Sequence, residues 1–243
     1  MSQLVTLNDV CKARKVVSKY LPRTPLVTSP ILSKRLGFEA YVKCENLQPI
    51  GAFKVRGGVN LVSRLSEEEK RRGVITASTG NHGQSIAYAA SLFGVKAIVA
   101  VPENSNPNKV EAIKNFGAQI EFRGSDFDEA RLWVEEEARR KGYRYIHSAN
   151  EPLLIAGVGT LYLEIMEDLP DVEAILVPIG GGSGAAAACI VAKSINSEVK
   201  VIGVQAEKAP AVYLSWKNKK FVETKSAETF AEGLATRVPF KLT

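Results

Sequence analysis

Ala174-Ile175-Leu176-Val177-Pro178-Ile179 runs directly into Gly180-Gly181-Gly182-Ser183-Gly184, and that into Ala185-Ala186-Ala187-Ala188. An apolar strand, a glycine loop and a small-residue helix, in that order, form the repeating unit of a parallel sheet covered by helices. Glycines let backbone N–H groups converge, and the helix N-terminus adds partial positive charge. The loop is therefore an anion site with phosphate as its natural guest. Gly180, Gly182 and Ala185 also match the G-x-G-x-x-G/A dinucleotide fingerprint, with Glu207 beyond the next strand as a ribose acid. A nicotinamide-dependent oxidoreductase thus stays open beside a phosphate cradle, and so does a plain flexible turn. A Walker loop is excluded, because no Lys-Ser/Thr pair follows.

Outward from that stretch, strand and helix patterns alternate. Strands are expected over 40–44, 74–77, 96–101, 118–122, 144–147 and 199–205. Helices are expected over 54–65, from the end of the 78–83 loop to about 93, and over 107–116, 126–141, 151–168 and 185–195. Asp126 is placed as a cap. The pattern predicts an α/β protein whose parallel sheets are flanked by helices on both faces.

Composition narrows the classes. The 243 residues suffice for one large domain or two small ones. The net charge of +6 comes from 32 basic residues scattered among 26 acidic ones, as in Glu67-Glu68-Glu69-Lys70-Arg71-Arg72. Mixed runs of this kind are solvated helix faces, not a nucleic-acid stripe, and a mildly positive surface suits small anions. No apolar run approaches a membrane span, and the N-terminus lacks a signal-peptide pattern, so a cytoplasmic protein is expected. Cys11, Cys44 and Cys189 show neither paired nor CxxC spacing, so buried reduced thiols are expected.

Two further segments carry chemistry. Gly51-Ala52-Phe53-Lys54-Val55-Arg56-Gly57-Gly58 sets a lysine among small and apolar neighbours. Desolvation disfavours the ammonium form, so such an amine becomes a nucleophile able to condense with a carbonyl. Ser78-Thr79-Gly80-Asn81-His82-Gly83-Gln84 lies between a strand and a helix, where hydroxyls, an amide and free N–H groups can hold a carboxylate. His82 is open to a catalytic or a structural role. With His147 as the only other histidine, neither a metal cluster nor a Ser-His-Asp triad is supported.

Taken in order, the segments 45–57, 78–84, 155–160, 177–184, 201–205 and 231–234 resemble the threonine dehydratase/serine racemase family of fold-type II pyridoxal-phosphate enzymes. The resemblance implies a two-lobed, tryptophan synthase β-like fold, with residues 76–150 as a small lobe inserted into a large lobe of 1–75 and 151–243. It implies pyridoxal 5'-phosphate as cofactor and Lys54 as its Schiff-base lysine and α-carbon proton shuttle. Phe53 packs against the ring, Asn81 holds its O3', and Gly233 lines its edge. The amides of Gly180, Gly181, Gly182, Ser183 and Gly184 cradle the phosphate, while Ser78, Thr79, Gly80, Asn81 and His82 grip the substrate carboxylate.

The implied reaction is β-elimination from L-threonine or L-serine to a 2-oxo acid and ammonia. Serine racemase-like activity and a catalytically silent relative are the alternatives, and a homo-oligomer, dimer or tetramer, is expected. The sequence departs from the family in four places. Ala52 stands where Ser is usual, and Thr79 where racemases carry a second base serine. Glu207 and the Ala211 carbonyl match cation ligands of some members, but Tyr213 replaces an expected Asp, so no metal is expected. The resemblance also implies a further C-terminal segment, bearing a Ser or Cys that faces the pyridine nitrogen.

Overall fold

The computed structural model describes residues 4–78 and 80–243. The chain opens with α1 (Leu7–Tyr20), held by a capping box in which Thr6 and Asp9 satisfy each other's backbone N–H groups. β1 (Leu26–Thr28) and β2 (Tyr41–Lys43) pair antiparallel around α2 (Pro30–Leu36). After a 3₁₀ turn at Glu45–Leu47 comes α3 (Lys54–Val62), then α4 (Glu67–Arg72) with a second capping box from Ser66 and Glu69.

The central sheet follows. β3 (Val74–Ala77), β4 (Ala97–Val101), β5 (Gln119–Phe122) and β6 (Arg144–Tyr145) lie in the order β5-β4-β3-β6, all parallel. β3 and β4 are buried along their whole length, as continuous apolar runs require. The crossovers are α5 (Asn81–Leu92), α6 (Pro107–Asn115) and α7 (Phe127–Lys141), the last capped by Asp126. One face of the sheet packs on Ala130, Val134 and Ala138 of α7. The other joins a core shared with α3 and α5.

The last part comprises α8 (Pro152–Asp168), β7 (Ala174–Pro178), α9 (Ser183–Ile195), β8 (Lys200–Val204) and α10 (Ala211–Asn218). β7 and β8 form a separate parallel pair. Val10 of α1, Ile155 and Val158 of α8, and Val191 of α9 share its core. α3 is the hinge of the packing, because its glycines admit backbone on two sides. A Cβ on Gly57 would lie 2.8 Å from the Leu154 carbonyl of α8 and one on Gly58 2.6 Å from the Ser85 carbonyl of α5, while one on Gly157 of α8 would lie 2.4 Å from the Arg56 carbonyl.

Four expectations are corrected. α9 begins at Ser183, inside the predicted loop, because Gly182 supplies the left-handed cap (φ 89°) that only glycine adopts cheaply. Cys11 and Cys189 are exposed and Cys44 half-buried, so the thiols are free but not buried. β7–β8 is covered on one face only, leaving Leu176, Ile202 and Val204 exposed. α1, β1, α2 and α10 were not anticipated from the sequence. No helix among the described residues is long and apolar enough to cross a membrane.

Candidate active site

A cavity of about 1410 Å³ lies where the C-terminal end of β3, the start of α3 and the β7–α9 loop face one another. Lys54 is the first residue of α3 and lines it. Its Nζ donates to Ser183 Oγ at 2.8 Å and reaches the Ser148 carbonyl at 3.5 Å. No carboxylate pairs with it among the described residues, and burial pushes the amine down to about 8. The Lys54 carbonyl is tied to α5 by the buried Ser85 hydroxyl, which donates to it at 2.7 Å. Phe53, beside it, joins the β7–α9 core and packs near Gly184.

Opposite Lys54 is the glycine loop. The backbone N–H groups of Gly180, Gly181, Gly182, Ser183, Gly184 and Ala185 find no acceptor among the described residues. Unsatisfied donors converging on a helix N-terminus are a seat for an anion. Side chains are excluded from this loop. A Cβ on Gly180 would meet the Gly233 carbonyl at 2.5 Å, and one on Gly182 would meet Thr243 Oγ1 at 2.9 Å. Gly233 is thereby placed against the loop, in the 3₁₀ turn Glu232–Leu234.

The third wall is the start of α5. Ser78 Oγ accepts from the N–H of Gly80 (3.1 Å) and of Gly83 (2.9 Å), so its hydroxyl braces the turn instead of facing the cavity as a free donor. The N–H groups of Asn81 and His82 have no acceptor among the described residues, and the Asn81 side chain is exposed toward the cavity. Thr79 lies outside the described residues.

His82 is buried, with Nε2 2.9 Å from Thr76 Oγ1. Thr76 donates its one hydroxyl hydrogen to the Ile146 carbonyl at 2.8 Å, so Nε2 must carry the proton and donate to Thr76. Nδ1 is then a buried acceptor with no partner among the described residues. Burial, helped by the nearby Lys54 charge, pushes the imidazole down to about 3, and it is neutral at physiological pH. His147 lines the same cavity; its Nδ1 accepts from Ala149 N–H and Asn150 N–H, each at 3.0 Å.

Behind α3 stands a cluster missed from the sequence. Arg56 is 1% exposed and donates bidentately to Glu45 (2.8 and 2.8 Å) and to Glu164 (2.7 and 2.9 Å). Lys43 pairs with Glu164 at 2.7 Å and with Asp168 at 3.6 Å. Burial opposes the charge on Arg56, but the bonds from Glu45 and Glu164 prevail and raise its pKa further. A charged residue inside an otherwise apolar helix, two positions past Lys54, was the available signal.

Residues 230–238 and Phe240 also line the cavity. Arg237 pairs with Asp128 at 2.8 Å and Glu232 with Lys109. Phe240 stacks edge-on to His147, and Thr243 Oγ1 donates to the Gly181 carbonyl at 2.8 Å. Glu207 is exposed and the Ala211 carbonyl accepts from Ser215 Oγ at 2.6 Å. No group of three His, Cys, Asp or Glu able to hold a metal occurs among the described residues.

The family model for the pyridoxal-phosphate dependent enzymes matches residues 17–243. The chain belongs to that family. Its cofactor is pyridoxal phosphate, and the row of unsatisfied amides facing a depressed lysine fits that group. The chain is 42% identical over 240 residues to the L-threonine ammonia-lyase of Thermotoga maritima, covering 99% of itself and 60% of that protein. It is 36% identical to a catabolic L-threonine dehydratase of Staphylococcus aureus, covering 98% of itself and 69% of that relative.

Among solved structures, maize serine racemase matches with a TM-score of 0.96 at 30% identity, over 99% of this chain and 73% of that one. Threonine deaminase isoform 2 of Solanum lycopersicum matches at 0.90 and 32%, over 98% and 67%. The fold-type II architecture is thus established, and the dinucleotide reading of the glycine loop is set aside.

Proposed function

We propose that this protein is a pyridoxal-phosphate-dependent ammonia-lyase that converts L-threonine or L-serine to a 2-oxo acid and ammonia. One observation carries the proposal: the depressed amine of Lys54 faces a row of six free amides on one side and the free N–H groups of Asn81 and His82 on the other. The names of the L-threonine ammonia-lyase and dehydratase relatives support it. Because the chain spans 60% and 55% of the length of the first two such relatives, the activity is proposed for this chain and not transferred to it.

In this reading the amides of Gly180, Gly181, Gly182, Ser183 and Gly184 hold the cofactor phosphate, Phe53 backs the ring, Asn81 bonds its O3' and Gly233 closes its edge. When bound, the cofactor supplies an electrophilic carbonyl and an electron sink next to the substrate's α-carbon. Lys54 Nζ holds and moves the α-proton, for which a pKa near the working pH is suited. The α5 N-terminus, with Thr79 and the N–H groups of Asn81 and His82, binds the substrate carboxylate, while Ser78 braces the turn through the Gly80 and Gly83 N–H groups. Neutral His82 leaves that grip to backbone N–H groups and the helix dipole. The cleft then divides a small lobe (76–150) from a large one (1–75 and 151–243), the open β7–β8 face is in keeping with a homo-oligomer, and the protein is assigned to the cytoplasm.

The test is 2-oxo acid release from a panel of hydroxy amino acids. Wild type bound to cofactor is expected to be yellow and to release 2-oxobutanoate or pyruvate, and Lys54→Ala to lose colour and product. Colour without product from any substrate overturns the lyase assignment and leaves a silent relative. A second reading, racemisation of serine, is favoured by the fold match to serine racemase; chiral chromatography of recovered serine separates the two.

A further inference from the structure

The amine of Lys54 has a single close polar partner among the described residues, and that partner sits in the glycine loop. Ser183 is 3% exposed, is the first residue of α9, and accepts from Nζ at 2.8 Å. The other contact, to the Ser148 carbonyl, is at 3.5 Å, the limit of a hydrogen bond. A lysine side chain has four rotatable carbons and loses much of its reactivity if its amine wanders. A cofactor that carries a carbonyl and a phosphate on one rigid ring must be met at both ends at once. Ser183 belongs to both ends: its own N–H is one of the six free amides, and its hydroxyl holds the nucleophile.

We propose that Ser183 is a positioning residue whose hydroxyl registers the Lys54 amine against the anion seat of the glycine loop, so that capture of a carbonyl compound is fastest when the same molecule carries a phosphate. This rests on the cofactor reading above. It goes beyond that reading, which uses only the Ser183 backbone.

The experiment measures Lys54 in cofactor-free protein in two ways. First, reductive methylation with formaldehyde, followed residue by residue by mass spectrometry, gives the pH midpoint of the amine. Loss of an acceptor from the ammonium in Ser183→Ala lowers that midpoint by about 0.5–1 pH unit, and Ser183→Thr, which keeps the hydroxyl, restores it. Second, borohydride trapping gives capture rates for pyridoxal phosphate and for phosphate-free pyridoxal. Ser183→Ala is expected to lose ~10-fold with the former and under ~3-fold with the latter. An unchanged midpoint together with equal losses for both aldehydes overturns the proposal. If wild type captures neither aldehyde at Lys54, the cofactor reading falls, while the formaldehyde midpoint still decides whether Ser183 holds the amine.

Discussion

With its amine pushed down to about 8 by burial, Lys54 releases a proton in the folded state well before it does in the unfolded chain, where the ordinary value is 10.5. Between those values the unfolded chain binds more protons, so stability rises as pH climbs from about 8 toward 10.5, and the full burial penalty is present below 8. Lys54→Met removes that penalty and is expected to stabilise the protein by about 2 kcal/mol at pH 7, read from urea unfolding, while abolishing cofactor colour. A fall in stability would mean that the bond to Ser183 outweighs desolvation. The amine's depression was legible in the sequence, because small and apolar neighbours foretell burial. Its partner was not, because Ser183 lies 129 residues away and nothing local links the two.

At the scale of elements, α3 is fixed from both sides, and each side makes a prediction. Arg56→Met leaves Glu45 and Glu164 buried without their guanidinium and is expected to cost about 3–5 kcal/mol. The added change Glu164→Leu should recover part of that loss in a double-mutant cycle, since it removes one of the stranded charges. Gly157→Ala drives a methyl into the Arg56 carbonyl and is expected to destabilise by about 1–3 kcal/mol, with a lower thermal midpoint. The start of α7 was foreseen because Asp126 marks it as a cap, whereas α3 and α8 begin at Phe53 and Glu151 without a side-chain cap. β1 and α2 were not. A three-residue strand and a seven-residue helix are too short to show a period, and their faces are mostly exposed.

For the whole molecule, the contrast is between a four-stranded sheet whose inner strands β3 and β4 are wholly buried and a β7–β8 pair with one open side. The apolar pattern of β7 predicted burial on both faces, yet Leu176 remains 59% exposed because no described element packs there. A face of this kind favours association. If this face carries the proposed homo-oligomer contact, Leu176→Lys combined with Ile202→Lys is expected to lower the sedimentation-measured mass without loss of helix content. An unchanged mass would place the oligomer contact elsewhere.

The close crossing of Gly157 with Arg56 also has a meaning in time. The two residues are 101 positions apart (157 − 56), and until the later one exists the helix that begins with Lys54 has nothing to lie against on that side. At about 5–20 residues per second, a ribosome takes about 5–20 s to span that gap. The nascent chain therefore carries a lysine unable to recognise its aldehyde until residues well beyond 157 have been made. Selective capture begins only once α8, and after it the glycine loop, has emerged.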